Sequence, residues 1–136
     1  MYTLSVEAKR ILVADDDPKF LHLVSEVLTG AGYDVRTASD PTKVAEMAEQ
    51  LRPELVILDI SMPGRNGFEV ARELHDHAQT KGVKCMFVTA YREPTQVKRA
   101  KEAGGIGYLE KPFRTSSLIW MVKTLLSKRP LEPELP

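Results

Sequence analysis

The sequence predicts one α/β domain, a parallel sheet covered by helices on both faces, on three observations. Short apolar runs such as Ile11-Leu12-Val13-Ala14, Leu55-Val56-Ile57-Leu58 and Cys85-Met86-Phe87-Val88 alternate with segments whose apolar residues recur at helical spacing. The runs lack a polar alternate face, so they read as strands buried on both sides, the habit of parallel sheets. A length of 136 residues suits one core and is short for two ordinary domains.

Taken in order, strands are expected at 10–15, 34–38, 55–59, 83–89 and 107–110, and helices at 18–29, 41–51, 66–78, 94–103 and 115–127. Asp17 suits the cap of the first helix and Pro18 its first turn. Phe20, Val24, Val27 and Ala31 give that helix an inward stripe. The stretch from Tyr33 to Ser39 is mixed in polarity and fits an edge strand. Val44, Met47, Ala48 and Leu51 repeat helical spacing in the second helix, while Pro94 can open the fourth and Gly104-Gly105 close it. In the last helix Leu118, Val122, Leu125 and Leu126 point inward, Ile119 and Met121 lie at the margins, and Trp120 points away as a candidate interface anchor. The domain is expected to span residues 8–127, with the Pro-rich residues 128–136 as a tail or the start of a linker.

Composition narrows the function classes. Nineteen basic and nineteen acidic side chains cancel, which gives no electrostatic case for a nucleic-acid surface. The lone Cys85 excludes an internal disulfide and reads as a small buried hydrophobe. No apolar stretch approaches the roughly 18 residues of a membrane span, and the N-terminus lacks a signal-peptide pattern. A soluble, cytoplasmic protein is expected. His22, His75 and His77 read as surface residues, the latter two too close in sequence to share a helical face. Gly30 and Gly32 form no dinucleotide fingerprint, and there is no phosphate-loop pattern.

The polar residues at the strand ends carry the chemistry. Asp15 and Asp16 follow the first strand, Asp59 ends the third, Thr89 ends the fourth, and Lys111 follows the fifth. Ligand sites of open α/β sheets gather at those carboxyl ends. Clustered carboxylates repel one another, and a divalent cation offsets that repulsion. An all-oxygen donor set suits Mg²⁺. Lysine and threonine suit the oxygens of a phosphoryl group, and a carboxylate can itself be the nucleophile. If the third strand lies between the first and fourth, Asp59 is central and the best nucleophile, while Asp15 and Asp16 are better metal holders.

Four segments in order, Ile11-Leu12-Val13-Ala14-Asp15-Asp16-Asp17-Pro18, Leu58-Asp59-Ile60-Ser61-Met62-Pro63-Gly64, Val88-Thr89-Ala90 and Gly107-Tyr108-Leu109-Glu110-Lys111-Pro112-Phe113, resemble the response-regulator receiver domains of two-component phosphorelays. The resemblance covers residues 10 to about 126. It implies the flavodoxin-like, CheY-like fold with strand order 2-1-3-4-5 and five flanking helices. It also implies that Asp59 accepts a phosphoryl group from a sensor histidine kinase or a histidine phosphotransfer protein. Mg²⁺, with Mn²⁺ as the alternative, would be held by Asp15, Asp16, Asp59 and the backbone carbonyl of Ser61. Lys111 would bind a phosphoryl oxygen and precede a cis bond to Pro112. Thr89 and Tyr108 would switch the surface of the fourth helix, fifth strand and fifth helix, where a phosphorylation-dependent homodimer or another partner would dock, Trp120 included. Ser61 and Tyr91 stand where the family tunes hydrolysis. Tyr91 is bulky enough to shield the phosphorus and Ser61 lacks a group to orient water, so slow autodephosphorylation is expected.

Two other classes compete. A magnesium-dependent phosphatase could pass through an aspartyl-phosphate, but no insertion is large enough for a cap domain and no second acid follows Asp59. A phosphorylation-independent interaction domain would leave the assembled charges without a purpose. The expectation is a signalling switch that turns over no external metabolite, and so is not an enzyme in the usual sense.

Overall fold

The computed structural model describes residues 8–90 and 94–127. The strands are β1 (Arg10–Ala14), β2 (Asp34–Ala38), β3 (Leu55–Asp59), β4 (Lys84–Thr89) and β5 (Gly105–Glu110). The helices are α1 (Pro18–Gly30), α2 (Val44–Leu51), α3 (Gly67–Asp76), α4 (Pro94–Glu102) and α5 (Thr115–Leu125), with a 3-10 turn over Pro41–Lys43 leading into α2. The strands form one parallel sheet in the order β2-β1-β3-β4-β5, as the resemblance implied.

Alternation along the strands divides the core in two. Ile11, Val13, Leu55, Ile57, Met86 and Val88 face α1 and α5, whereas Leu12, Ala14, Val56, Leu58, Cys85 and Phe87 face α2, α3 and α4. The three inner strands are therefore apolar on both sides, and β2, whose middle residues are half-buried or exposed, takes an edge. Transfer of apolar surface from water, about 25 cal/mol per Å², makes this burial the main term holding the layers together.

Two stretches differ from the sequence expectation. The inward stripe of α1 is Leu21, Val24 and Leu28, with Phe20 and Val27 only partly buried at its margin. The fifth strand begins at Gly105 rather than 107, because an irregularity opposite Cys85 and Met86 accommodates Ile106, which is half exposed. Gly104 ends α4 with φ +90, and a Cβ there would sit 2.5 Å from the His75 ring, so its position is closed to side chains twice over.

His75 itself departs from its expected surface role. Its ring nitrogens lie 3.3 Å from the Ala103 carbonyl and 3.1 Å from the Val83 carbonyl, tying the end of α3 to the start of β4 and the α4–β5 turn. His22 is exposed beside Glu26 at 3.1 Å, as expected, and His77 is exposed. Tyr91 and residues 128–136 lie outside the described residues. Among the described residues, no helix is long and apolar enough to cross a membrane.

Candidate functional site: an acidic cluster at the strand ends

The strand order brings the polar strand ends together. Asp59 ends β3, flanked by β1, which leads into Asp15 and Asp16, and by β4, which ends in the fully buried Thr89. One carboxylate oxygen each from Asp15, Asp16 and Asp59 lie within 4.8 Å of one another. Asp15 and Asp59 are buried and Asp16 is exposed. The loop after β5 closes the arrangement: Lys111 N–H donates to the Thr89 carbonyl at 2.7 Å, and the Lys111–Pro112 bond is cis, as the resemblance implied.

Local chain chemistry fixes each carboxylate. Asp15 accepts from the Asp17 N–H at 2.9 Å, and Asp17 in turn caps α1 through the Lys19 N–H at 3.0 Å. Asp59 accepts from the Ser61 N–H at 3.1 Å. The chain then turns into α3, whose first residue packs so close that a Cβ on Gly67 would stand 2.5 Å from the Asp59 carbonyl oxygen. Asn66 and Glu69 form a reciprocal capping box at that helix start, and Arg65 pairs with Glu73 across the loop.

The charges do not cancel locally. Lys111 Nζ lies 2.9 Å from Asp15 Oδ2 and 3.7 Å from Asp59 Oδ2, a single ammonium shared between two carboxylates. Burial, and then the neighbouring charge of Asp15, push the Asp59 carboxyl up to about 6, with Lys111 and the Ser61 N–H pulling the other way and Asp16 adding to the rise. Among the described residues the surplus is negative, made of hard oxygen donors, and open to solvent at Asp16. That is the donor set a small divalent cation takes.

Of the residues singled out from the sequence, Asp15, Asp16, Asp59, Thr89 and Lys111 gather at this end of the sheet. The Ser61 backbone meets the Asp59 carboxylate while its side chain is exposed. Tyr108 is partly buried in β5 against the α2-α3-α4 side of the core, its hydroxyl held above the usual range by burial and by Glu110. Trp120 is 65% exposed on the outer face of α5. The sequence reading missed Phe20. Helical spacing assigns it to the core stripe, yet its ring carries Lys111 Nζ at 3.9 Å from the centroid. Only its position beside the aspartate run could have drawn attention to it.

Comparison with known proteins agrees with this geometry. A family model described as the response regulator receiver domain matches residues 11–123. Curated relatives include the DNA-binding response regulator MtrA of Mycolicibacterium smegmatis, 35% identical over 92% of this chain and 54% of that protein. The DNA-binding dual master transcriptional regulator RpaA of Synechocystis is also 35% identical, over 92% of this chain and 52% of its own. The chain thus spans about half the length of the curated relatives it matches. Among solved structures, the chemotaxis protein CheY4 of Vibrio cholerae superimposes with a TM-score of 0.84 at 29% identity, covering 88% of this chain and all of the other. The chain belongs to the response regulator receiver domain family of two-component systems.

Proposed function

We propose that this domain is a phosphoacceptor switch in which Asp59 receives a phosphoryl group from a phosphohistidine on a sensor histidine kinase or a histidine phosphotransfer protein. The observation that carries the reading is the placement of Asp59 between two further carboxylates and one ammonium at the centre of the sheet's carboxyl edge. An Asp59 carboxylate oxygen forms a bond to phosphorus as the phosphorus–nitrogen bond to the donor's imidazole breaks, the electron pair returning to that ring. Lys111 and the Thr89 hydroxyl meet the phosphoryl oxygens.

The donor chemistry fits Mg²⁺, or Mn²⁺, held by Asp15, Asp16, Asp59 and the Ser61 carbonyl. Bound there, the ion would offset the carboxylate repulsion and neutralise charge on the transferring group.

Thr89 and Tyr108 would carry the signal to the α4-β5-α5 surface. There the exposed Trp120 anchors a homodimer or another partner, and no nucleic acid or membrane is engaged by this domain. Hydrolysis, tuned by Ser61 and Tyr91, resets the switch without turnover of an external metabolite, in a cytoplasmic setting.

Incubation with acetyl phosphate tests the reading. A gain of one phosphoryl mass that needs a divalent cation, and that is absent from Asp59→Asn, supports it. An unphosphorylated wild type, or equal labelling of the variant, overturns it.

A further inference from the structure

Lysine is a compact charge on a flexible stem, and holding one in a single place costs rotamer entropy. In this site the ammonium of Lys111 is met from three sides: Asp15 Oδ2 at 2.9 Å, Asp59 Oδ2 at 3.7 Å and the face of Phe20 at 3.9 Å from the ring centroid. The ring is itself held. Phe20 and Phe113 pack edge to face with centroids 6.0 Å apart and planes at 87°. Phe113 follows Lys111 by two residues, so the same short turn supplies both the ammonium and the ring that steadies its seat. Phe20 lies in the first turn of α1, five residues after Asp15, which holds another side of the ammonium.

We propose that Phe20 is a positioning residue for Lys111, its ring face keeping the ammonium beside both Asp15 and Asp59. The chemistry of the third contact decides what the site can do. A carboxylate there would add to the negative surplus and hold the lysine back from a phosphoryl group. An aliphatic side chain would exclude water but would not attract the charge. An aromatic face attracts the cation through its quadrupole, uses none of the ammonium's N–H donors, and tolerates lateral movement. The ammonium can therefore shift its weight from Asp15 toward an acceptor on Asp59 while remaining on the same ring. This role rests on the phosphoacceptor reading for its purpose, although the seat itself does not.

The test compares wild type with Phe20→Leu and Phe20→Tyr in the intact chain. Without metal, the ε-methylene protons of Lys111 are expected to show an upfield ring-current shift in wild type and in the tyrosine variant, and to lose it in the leucine variant. With Mg²⁺ present, affinity for beryllofluoride is expected to fall about three- to tenfold in Phe20→Leu and to return in Phe20→Tyr. Mg²⁺ affinity measured alone should not fall, because an ammonium released from Asp15 and Asp59 leaves both carboxylates free for the ion. An unshifted Lys111 in wild type overturns the proposal, as does equal beryllofluoride affinity in the leucine variant or a loss that tyrosine does not restore. Failure of the wild type to bind beryllofluoride at all would instead count against the phosphoacceptor reading, and the Lys111 shift would still decide the seat.

Discussion

The two ends of the sheet treat charge in opposite ways. At the amino end Lys9, Arg10, Arg36 and Lys84 each have a definite partner. Arg10 donates to Asp34 at 2.9 Å and to the Leu51 carbonyl at 2.7 Å, and Arg36 meets the other oxygen of Asp34 at 3.0 Å. Lys9 and Lys84 each donate at 2.6 Å to carbonyls at the end of α5, Leu126 and Leu125, where helix termini leave acceptors unmatched. At the carboxyl end, among the described residues, a single ammonium faces clustered acids, and the fold keeps a carboxylate whose ionised form it disfavours. One end is settled by the chain itself. Among the described residues the other is left with more acids than cations, an arrangement that could hold a metal ion.

The largest effect that separates the ends is a pH dependence. The folded Asp59 carboxyl, at about 6, lies above its ordinary value of 3.8, so between these limits the folded state keeps a proton that the unfolded chain has released. Stability therefore falls as pH rises through that window, by about 2–3 kcal/mol in the absence of metal. Asp59→Asn removes this contribution, and its stability advantage over wild type should grow from pH 4 to pH 6 and then level off in urea titrations. A difference that stays flat across the window would mean that the fold does not disfavour the ionised Asp59 carboxyl.

At the amino end the expected sign is the reverse: removing a charge removes stability. Lys84→Ala should lose about 1.5–3 kcal/mol, because a buried carbonyl at the end of α5 loses a charged donor. Arg10→Ala should also destabilise, since the Leu51 carbonyl loses its donor and Asp34 keeps only Arg36. If either were as stable as wild type in the same titrations, the amino end would not be held as described.

His75→Ala should cost about 1–2 kcal/mol and speed amide exchange in the α4–β5 turn, since the ring that lies against the Ala103 and Val83 carbonyls is lost. The smallest effect is expected at His22, exposed beside Glu26. There substitution by Ala should move stability by less than about 0.5 kcal/mol. A larger change would mean that the outer face of α1 packs against something.

The parts that were legible in the sequence are those whose cause lies in side-chain type. β1, β3 and β4 are buried on both faces, so their runs are apolar without interruption, and the acids that end them stand out by contrast. Trp120 was legible for the same reason, an aromatic placed opposite a regular apolar stripe. His75 was not, because its partners are backbone carbonyls, which carry no residue signature. The early start of β5 escaped because Gly105 and Ile106 sit at an irregularity where alternation fails. Phe20 was read as core because an aromatic at helical spacing normally is. The structure spends its ring on Lys111 and leaves the core stripe to Leu21, Val24 and Leu28.

The most direct test of the contrast between the two ends is the stability of wild type and Asp59→Asn at pH 7.5, each with and without Mg²⁺. The variant is expected to be the more stable of the two without metal. Saturating Mg²⁺ is expected to stabilise wild type by about 2.7 kcal/mol at a hundredfold excess over its dissociation constant, and the variant by less, so that the gap closes or reverses. A variant less stable than wild type in the absence of metal, or an equal response of both to Mg²⁺, would contradict that contrast.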